Sequence, residues 1–152
     1  MSATPTIWAL IPIKGSGQGK SRLAGMLSAP ERDVLVDTML RHVVSTADKA
    51  RMVSRTVLVG PSRHGLERGI PLIGDPGNGL NDALAHALGE IACAQERPDR
   101  LIVIAADLPC LTPLDLDLLA EAPHRSIAIA PDRHGTGTNA LSLPLPEAAG
   151  FR

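Results

Sequence analysis

Short apolar runs of strand length alternate along this chain with segments in which apolar residues recur at helical spacing. Residues 7–13 and 101–105 are continuous apolar runs, which is typical of strands buried on both faces of a parallel sheet. Further strands are predicted over residues 56–59, 71–73, 127–130 and 140–143. Alternation of strands and helices implies parallel pairing through right-handed crossovers. The sequence therefore predicts an α/β fold of three layers, with helices on both faces of a mostly parallel sheet.

Three helices are predicted between these strands. Ser28 and Glu31 form a capping-box pair around Pro30, and a proline suits the first helical turn. The helix that follows has one apolar face, which we expect in the core: Val34, Leu35, Met39, Leu40, Val43, Val44 and Ala47. The second helix has a similar face: Leu80, Ala83, Leu84, Ala87, Leu88, Ile91 and Ala92. A third helix is predicted over residues 112–119.

Length and composition limit the class of protein. A chain of 152 residues with 44% apolar side chains fits one globular domain, which we expect to span residues 1–152. It shows neither a signal peptide nor an apolar run of the roughly 20 residues that cross a bilayer, so we expect a soluble, cytoplasmic protein without a membrane partner. Nucleic acid is not an expected partner, because only Trp8 and Phe151 could stack on bases and the net charge is −1.

Charge and cysteines add two further expectations. Residues 1–70 carry ten basic and five acidic side chains, whereas residues 71–152 carry five and eleven. A basic half beside an acidic half suits phosphates together with a divalent cation, although chance explains the asymmetry equally well. Cys93 and Cys110 match no zinc or redox spacing, and Cys93 falls on the apolar side of the second helix. We therefore expect Cys93 to be a buried thiol.

A glycine-rich, basic segment, residues 14–22, follows the first strand directly. Its backbone N–H groups can approach phosphate oxygens, and its three cationic side chains add charge: Lys14, Lys20 and Arg22. A P-loop would need glycine at position 14, and the dinucleotide fingerprint would need glycine at position 20; both positions hold lysine. The segment predicts phosphate binding, with a flexible basic turn as the alternative.

The second candidate segment, residues 74–84, opens the second helix. Gly77 and Gly79 free the backbone, and Asn81 stands in the first helical turn. Its amide could pair with a base edge through one donor and one acceptor. The alternative is a simple helix cap, which Asn78 or Asn81 would serve equally well.

Carboxylates follow two of the predicted strands. Asp107 comes directly after the strand at 101–105, where ligands bind in open α/β sheets. Magnesium commonly uses one or two protein carboxylates with substrate phosphates and waters, and Asp132 is the natural second one. The alternative for Asp107 is a cap on the following turn. In residues 132–139, two Gly-Thr pairs offer hydroxyls and backbone donors to a small anion, and His134 is expected to be a surface residue.

Taken together, these segments resemble one family, the 2-phospho-L-lactate or phosphoenolpyruvate guanylyltransferases of deazaflavin coenzyme F(420) biosynthesis. The resemblance covers nearly the whole chain, and five motifs carry it: Pro12-Ile13-Lys14, Gly19-Lys20-Ser21-Arg22-Leu23, Gly79-Leu80-Asn81, Ala106-Asp107-Leu108-Pro109 and Gly135-Thr136-Gly137-Thr138-Asn139-Ala140-Leu141. It implies a Rossmann-like fold of the nucleotide-diphospho-sugar-transferase type. It also implies transfer of GMP from GTP onto a small phosphorylated acid, with Mg²⁺ as cofactor and release of pyrophosphate.

The resemblance also implies roles for individual residues. Those expected in catalysis are Lys20, Arg22 and Asp107, of which Asp107 would ligate magnesium. Those expected to bind the nucleotide are Pro12, Lys14, Gly15, Lys20, Gly79, Leu80 and Asn81. Thr138 and Asn139 would approach the acceptor.

One departure from the family lies at the end of the chain. The family continues with a Phe-Gly-Pro-Gly-Ser segment, and this chain stops at Phe151-Arg152, so we expect it to lack the family's C-terminal part. A catalytically silent nucleotide-binding module is therefore one alternative. A molybdenum-cofactor-type nucleotidyltransferase is the other, because those enzymes share the Asp-Leu-Pro motif at residues 107–109. The sequence leaves open whether the acceptor is 2-phospho-L-lactate, phosphoenolpyruvate or 3-phosphoglycerate, and whether the protein is a homodimer.

Overall fold

The computed structural model describes residues 4–15 and 20–145. Within these residues, one six-stranded sheet contains β1 (Ile7–Pro12), β2 (Val53–Val59), β3 (Leu72–Ile73), β4 (Arg100–Ile104), β5 (Ala128–Pro131) and β6 (Thr138–Pro144). The α-helices are α1 (Ala29–Lys49), α2 (Leu80–Cys93) and α3 (Pro113–Ala120), and a 3₁₀ turn spans Ser21–Leu23. Among the described residues, none of these helices combines the length and apolar character needed to span a bilayer.

The strand order is β3-β2-β1-β4-β6-β5. β1 pairs in parallel with β2 and β4, and β2 pairs in parallel with β3, as predicted. The sheet is thus mostly parallel, as predicted, and the exception is β6, which runs antiparallel to both β4 and β5. The reason is that only residues 132–137 connect β5 to β6, and a parallel connection requires a crossover of a dozen residues or more.

Helices cover both faces of the sheet, which confirms the three layers. On one face, α1 and α3 pack over inward side chains of β1 and β4, with Leu40, Val43, Ile102 and Leu116 at most 1% exposed. On the other face, α2 packs over a second apolar cluster that includes Trp8, Leu10, Ala87, Leu88 and Leu143.

Capping of the helices follows the sequence closely. Ser28 and Glu31 form the predicted reciprocal capping box at the start of α1. A second box, between Thr112 and Asp115, begins α3.

Three predictions about burial are wrong, each near a helix end. Val34 is 67% exposed, because burial along α1 begins only at Met39. Leu80, the first residue of α2, is 52% exposed. Cys93, the last residue of α2, is exposed rather than buried. A helical apolar pattern identifies the face that turns toward a core, but it does not show how far along the helix the core extends.

Candidate functional site

The antiparallel direction of β6 brings its first residues to the carboxyl edge of the parallel strands. Ile104, the last residue of β4, lies opposite Ala140, and the N–H of Ala105 donates to the carbonyl of Asn139 at 2.9 Å. Thr138 and Asn139 therefore lie at the edge from which Asp107 also projects. Ligands of open α/β sheets bind at this edge. We take it as the candidate active site.

Two of the residues predicted to act together are in direct contact. The Nζ atom of Lys20 lies 2.5 Å from Oδ2 of Asp107, across 87 residues of sequence. The Asp107 side chain is half exposed, and that of Lys20 is 32% exposed. The following helix, α3, is capped by Thr112, and the described hydrogen bond of the Asp107 carboxylate is the one from Lys20. A carboxylate that is half open to solvent is accessible to a metal cation, which would compete with Lys20 for it.

Lys20 has an uncommon backbone conformation. Its φ of 55° and ψ of 39° lie in the left-handed region, which costs a residue other than glycine on the order of 1–3 kcal/mol. Arg22 follows in the exposed 3₁₀ turn. At the end of β1 and just after it, Pro12 and Gly15 are half-buried and the Lys14 side chain is exposed. The remainder of the predicted phosphate loop, including Gly19, lies outside the described residues.

The start of α2 differs from a simple side-chain cap. Gly79 occupies the N-cap position with a φ of 105°, so neither Asn78 nor Asn81 caps the helix. A glycine has no side chain to satisfy the first-turn N–H groups, and such groups bind anions readily. Leu80 and Asn81 are both exposed there. This end of α2 follows β3 through residues 74–79, so it too belongs to the carboxyl edge.

Asp132 stabilises its own loop. Its Oδ1 accepts the N–H groups of His134 and Thr136, each at 3.0 Å, and its Oδ2 accepts the Thr136 hydroxyl at 3.3 Å. The N–H of Thr136 is the main cause that lowers the pKa of Asp132 below its ordinary value. These bonds fix the turn that leads into Thr138. His134 is exposed, as expected.

The carboxylates at this edge are the groups that could hold the expected magnesium ion. Within the described part of the chain, no three His, Cys, Asp or Glu side chains group as a metal cluster. Magnesium in nucleotide sites uses only one or two carboxylates, because phosphates and waters complete its octahedron. The accessible Asp107 carboxylate fits that requirement, whereas the oxygens of Asp132 are engaged by its loop.

His64, which no sequence pattern singled out, contacts the loop after β1. Its Nε2 lies 2.8 Å from the carbonyl oxygen of Lys14, and its Nδ1 lies 3.1 Å from Oδ1 of Asp37. The only local signal was a histidine shortly after the end of a predicted strand, which is too common a pattern to single out.

A separate pocket opens at the opposite edge, near the amino ends of β1 and β2. It measures about 460 Å³, and its lining includes Trp8, Arg55 and Glu96. The guanidinium of Arg55 lies 4.8 Å from the centroid of the Trp8 ring. The predicted site residues lie away from this pocket, so we do not include it in the candidate site.

Comparison with known proteins identifies relatives along nearly the whole chain. Residues 7–150 match the model of a family described as guanylyl transferase CofC like. The phosphoenolpyruvate guanylyltransferase of Sphaerobacter thermophilus is 40% identical over 148 residues, covering 94% of this chain and 70% of that protein. The protein of the same name from Chloroflexus aurantiacus is also 40% identical, covering 95% of this chain and 73% of its own length.

Solved structures share the fold at low sequence identity. A protein described as a nucleotide-diphospho-sugar transferase from Desulfovibrio desulfuricans G20 superposes with a TM-score of 0.73 at 17% identity, covering 91% of this chain and 63% of that chain. A nucleotidyl transferase from Methanothermobacter thermautotroptrophicus superposes with a TM-score of 0.61, also at 17% identity, covering 91% and 71%. These similarities confirm the predicted nucleotide-diphospho-sugar-transferase-like fold.

Proposed function

The chain belongs to the family of CofC-like guanylyl transferases, and from this premise we propose that it transfers GMP from GTP to a small phosphorylated three-carbon acid. Pyrophosphate is the second product, and the reaction serves deazaflavin coenzyme F(420) biosynthesis. Phosphoenolpyruvate is the proposed acceptor, because the relatives that are 40% identical carry that name. The pairing of Lys20 with Asp107 at the carboxyl edge of the sheet is the observation that carries the proposal.

The proposed reaction needs no general base. A phosphate oxygen of the acceptor attacks the α-phosphorus of GTP, and the bond from that phosphorus to the bridging oxygen of the β-phosphate breaks. The electron pair of that bond leaves with pyrophosphate. The acceptor phosphate is largely ionised at neutral pH because its second pKa is about 6. The nucleophile therefore arrives already activated.

The main obstacle is repulsion between two polyanions. Two unit charges 4 Å apart repel by roughly 4 kcal/mol at an effective dielectric constant of 20, and several such pairs meet here. Lys14, Lys20 and Arg22 lie on the segment after β1 and supply compensating charge. Such fixed charges stabilise the transition state without reorganising during the reaction. In this proposal Lys20 exchanges its partner Asp107 for the triphosphate.

Asp107 would hold the magnesium ion, whereas the oxygens of Asp132, the second predicted carboxylate, are engaged by its own loop. When bound, the ion would neutralise phosphate charge and align the displacement. The same proposal assigns Pro12, Gly15 and the segment Gly79 to Asn81 to the nucleotide, where the amide of Asn81 can pair with a base edge. Thr138 and Asn139 would contact the acceptor.

The test combines product analysis with two substitutions. GTP is incubated with phosphoenolpyruvate, 2-phospho-L-lactate or 3-phosphoglycerate, and the products are identified by mass spectrometry while pyrophosphate release is followed. We expect Asp107→Asn to abolish turnover with an unchanged unfolding temperature. We expect Lys20→Ala to weaken GTP binding much more than acceptor binding. Glu90→Gln removes an exposed carboxylate from α2 and serves as the control.

Three outcomes would contradict parts of this proposal. Normal magnesium-dependent pyrophosphate release by the Asp107→Asn variant would remove Asp107 from the mechanism. Equal losses of GTP and acceptor affinity in Lys20→Ala would contradict the role of Lys20. Tight GTP binding without release of pyrophosphate from GTP, whichever acceptor is added, would indicate a nucleotide-binding module instead of an enzyme.

A further inference from the structure

His64 connects α1 to the loop that follows β1. Its side chain is only 5% exposed, and its two ring nitrogens face oxygens that lie 27 and 50 residues away in sequence. The carbonyl oxygen of Lys14 can only accept a hydrogen bond, so Nε2 of His64 is the donor in that contact. The contact between Nδ1 and Asp37 is an ion pair when the ring carries both protons. Both nitrogens are thus committed to the protein, which leaves His64 no free atom for chemistry.

Hydrogen bonds other than those of the imidazole hold the backbone of residues 63–66 in place. His64 has a φ of 48°, and among the described residues Lys20 is the only other non-glycine residue with a positive φ. Such a conformation persists only when the surroundings enforce it. The turn is closed by a bond from the N–H of Leu66 to the carbonyl of Arg63 at 2.9 Å, and Nε of Arg63 donates to the carbonyl of Ile70 at 3.1 Å. The imidazole is therefore presented to Lys14 by a rigid turn.

We infer that His64 is a positioning residue for the nucleotide site, acting through the peptide bond between Lys14 and Gly15. In a trans peptide the C=O and the next N–H point in opposite directions. A Lys14 carbonyl fixed toward His64 thus directs the N–H of Gly15 away from His64, to the side where a phosphate oxygen can accept it. The inference rests on the proposed function, in which the loop after β1 binds the triphosphate of GTP.

Two substitutions at His64 separate its two contacts. The amide nitrogen of asparagine lies at the same number of bonds from the backbone as Nδ1, whereas the longer glutamine side chain can reach the position of Nε2. His64→Asn thus keeps a donor for Asp37 and loses the one for Lys14, and His64→Gln keeps the donor for Lys14. We expect His64→Asn to raise the Kd for GTP about tenfold, the effect of one lost hydrogen bond of this kind. His64→Gln should stay within about threefold of the unsubstituted protein.

Comparison of His64→Asn with His64→Gln also tests whether the backbone conformation at position 64, and not its side chain, affects GTP binding. Asparagine adopts positive φ more readily than glutamine, so a purely conformational role of His64 predicts the reverse order of GTP affinities. His86→Gln, on the exposed surface of α2, controls for loss of an imidazole elsewhere. Acceptor KM is measured alongside, and we expect His64→Asn to change it less than the Kd for GTP.

The outcomes distinguish this inference from the proposed function. Equal GTP affinities in His64→Asn and His64→Gln, or the reverse order, would overturn the positioning role while leaving the proposed function intact. Failure of the unsubstituted protein to bind GTP would overturn the proposed function and this inference with it. If His64→Asn does not fold, Asp37→Ala decides, because it removes the partner that orients the ring. A several-fold weaker GTP affinity would then support the inference, and an unchanged affinity would refute it.

Discussion

Asp107 and Asp132 both follow strands at the carboxyl edge, yet their surroundings suit them to different tasks. Asp107 is half exposed, and its described partner is a single lysine on another loop. Asp132 accepts two backbone N–H groups and one hydroxyl from its own loop. A cation can compete for the first carboxylate, whereas removing the second would release the turn before β6. The sequence predicted Asp107 as a magnesium ligand and Asp132 as the second carboxylate beside it.

The lowered pKa of Asp132 predicts how stability depends on pH. Because its folded-state pKa lies below the unfolded value of about 3.9, the carboxylate stabilises the fold at higher pH, and this contribution is lost as pH falls through the folded pKa. We expect Asp132→Asn to lower the unfolding temperature at pH 7, and we expect the difference to shrink below about pH 4.

Thermal unfolding of both proteins between pH 7 and pH 3 checks this prediction. Glu31 also has a lowered pKa, caused mainly by the backbone N–H of Ser28, but both proteins contain it, so its effect cancels in the difference. A difference between the two proteins that stays constant with pH would contradict the role assigned to the Asp132 charge.

At the scale of elements, the ends of β1 and β2 approach each other closely beneath the candidate site. The N–H of Ile13 donates to the carbonyl of Val59 at 2.7 Å, and the N–H of Gly60 donates to that of Ile73 at 3.0 Å. A Cβ atom at Gly60 would lie only 2.6 Å from the carbonyl oxygen of Ile13, which is backbone and cannot turn aside. Position 60 therefore requires glycine if the loop after β1 is to leave the sheet where it does.

Two glycine substitutions test this requirement. We expect Gly60→Ala to destabilise the protein by about 1–3 kcal/mol through steric overlap and to weaken GTP binding by displacing the loop after β1. Gly89→Ala is the matched control, since Gly89 lies within α2 and its added Cβ would meet nothing within 4 Å. The control should stabilise the protein by about 0.5–1 kcal/mol, because alanine favours helix. Chemical denaturation measures the stability of the two variants. A destabilising effect of similar size in Gly60→Ala and Gly89→Ala would contradict the steric explanation.

At the scale of the whole molecule, the position of β6 decides the composition of the site, and a buried arginine secures it. Arg100, at the start of β4, is 4% exposed. Its guanidinium donates to the hydroxyl of Ser142 on β6 at 3.0 Å and to the carbonyls of Pro123, His124 and Ser126 after α3, at 2.7–3.1 Å. Burial lowers the pKa of Arg100. One side chain thereby joins two strands and the connection that precedes β5.

Replacing Arg100 should destabilise the packing of β4 against β6 and against the connection that precedes β5. We expect Arg100→Met to reduce the free energy of unfolding by about 3 kcal/mol, because it removes the guanidinium donors to the buried Ser142 hydroxyl and to three partly buried carbonyls. Arg97→Met is the control: Arg97 is exposed, and its one described bond is to the carbonyl of Ala92, so its loss should cost at most about 0.5 kcal/mol. Urea denaturation measures both variants. Equal, small losses would show that the buried guanidinium is dispensable.

Features that depend on neighbours within a few residues could be predicted from the amino-acid sequence. Capping at Ser28 follows from Glu31 three positions on, and the apolar runs of β1 and β4 identify buried strands without reference to the rest of the chain. The position of Asp107, three residues after the end of β4, was sufficient to place it at the edge of the sheet, because ligands of an open α/β fold bind where its strands end.

Contacts between residues far apart in sequence became visible only in the folded protein. Lys20 contacts Asp107, which is 87 residues away in sequence, and His64 contacts Lys14, which is 50 residues away. In the same way, β6 pairs in antiparallel direction between β4 and β5. The limit of the buried face of α1 at Met39 is decided in the same way, by how far the packed elements extend. Apolar periodicity and helix caps reflect interactions within one helix or strand. Which distant residue a side chain contacts depends on how several helices and strands pack together, and one sequence pattern is compatible with many such packings.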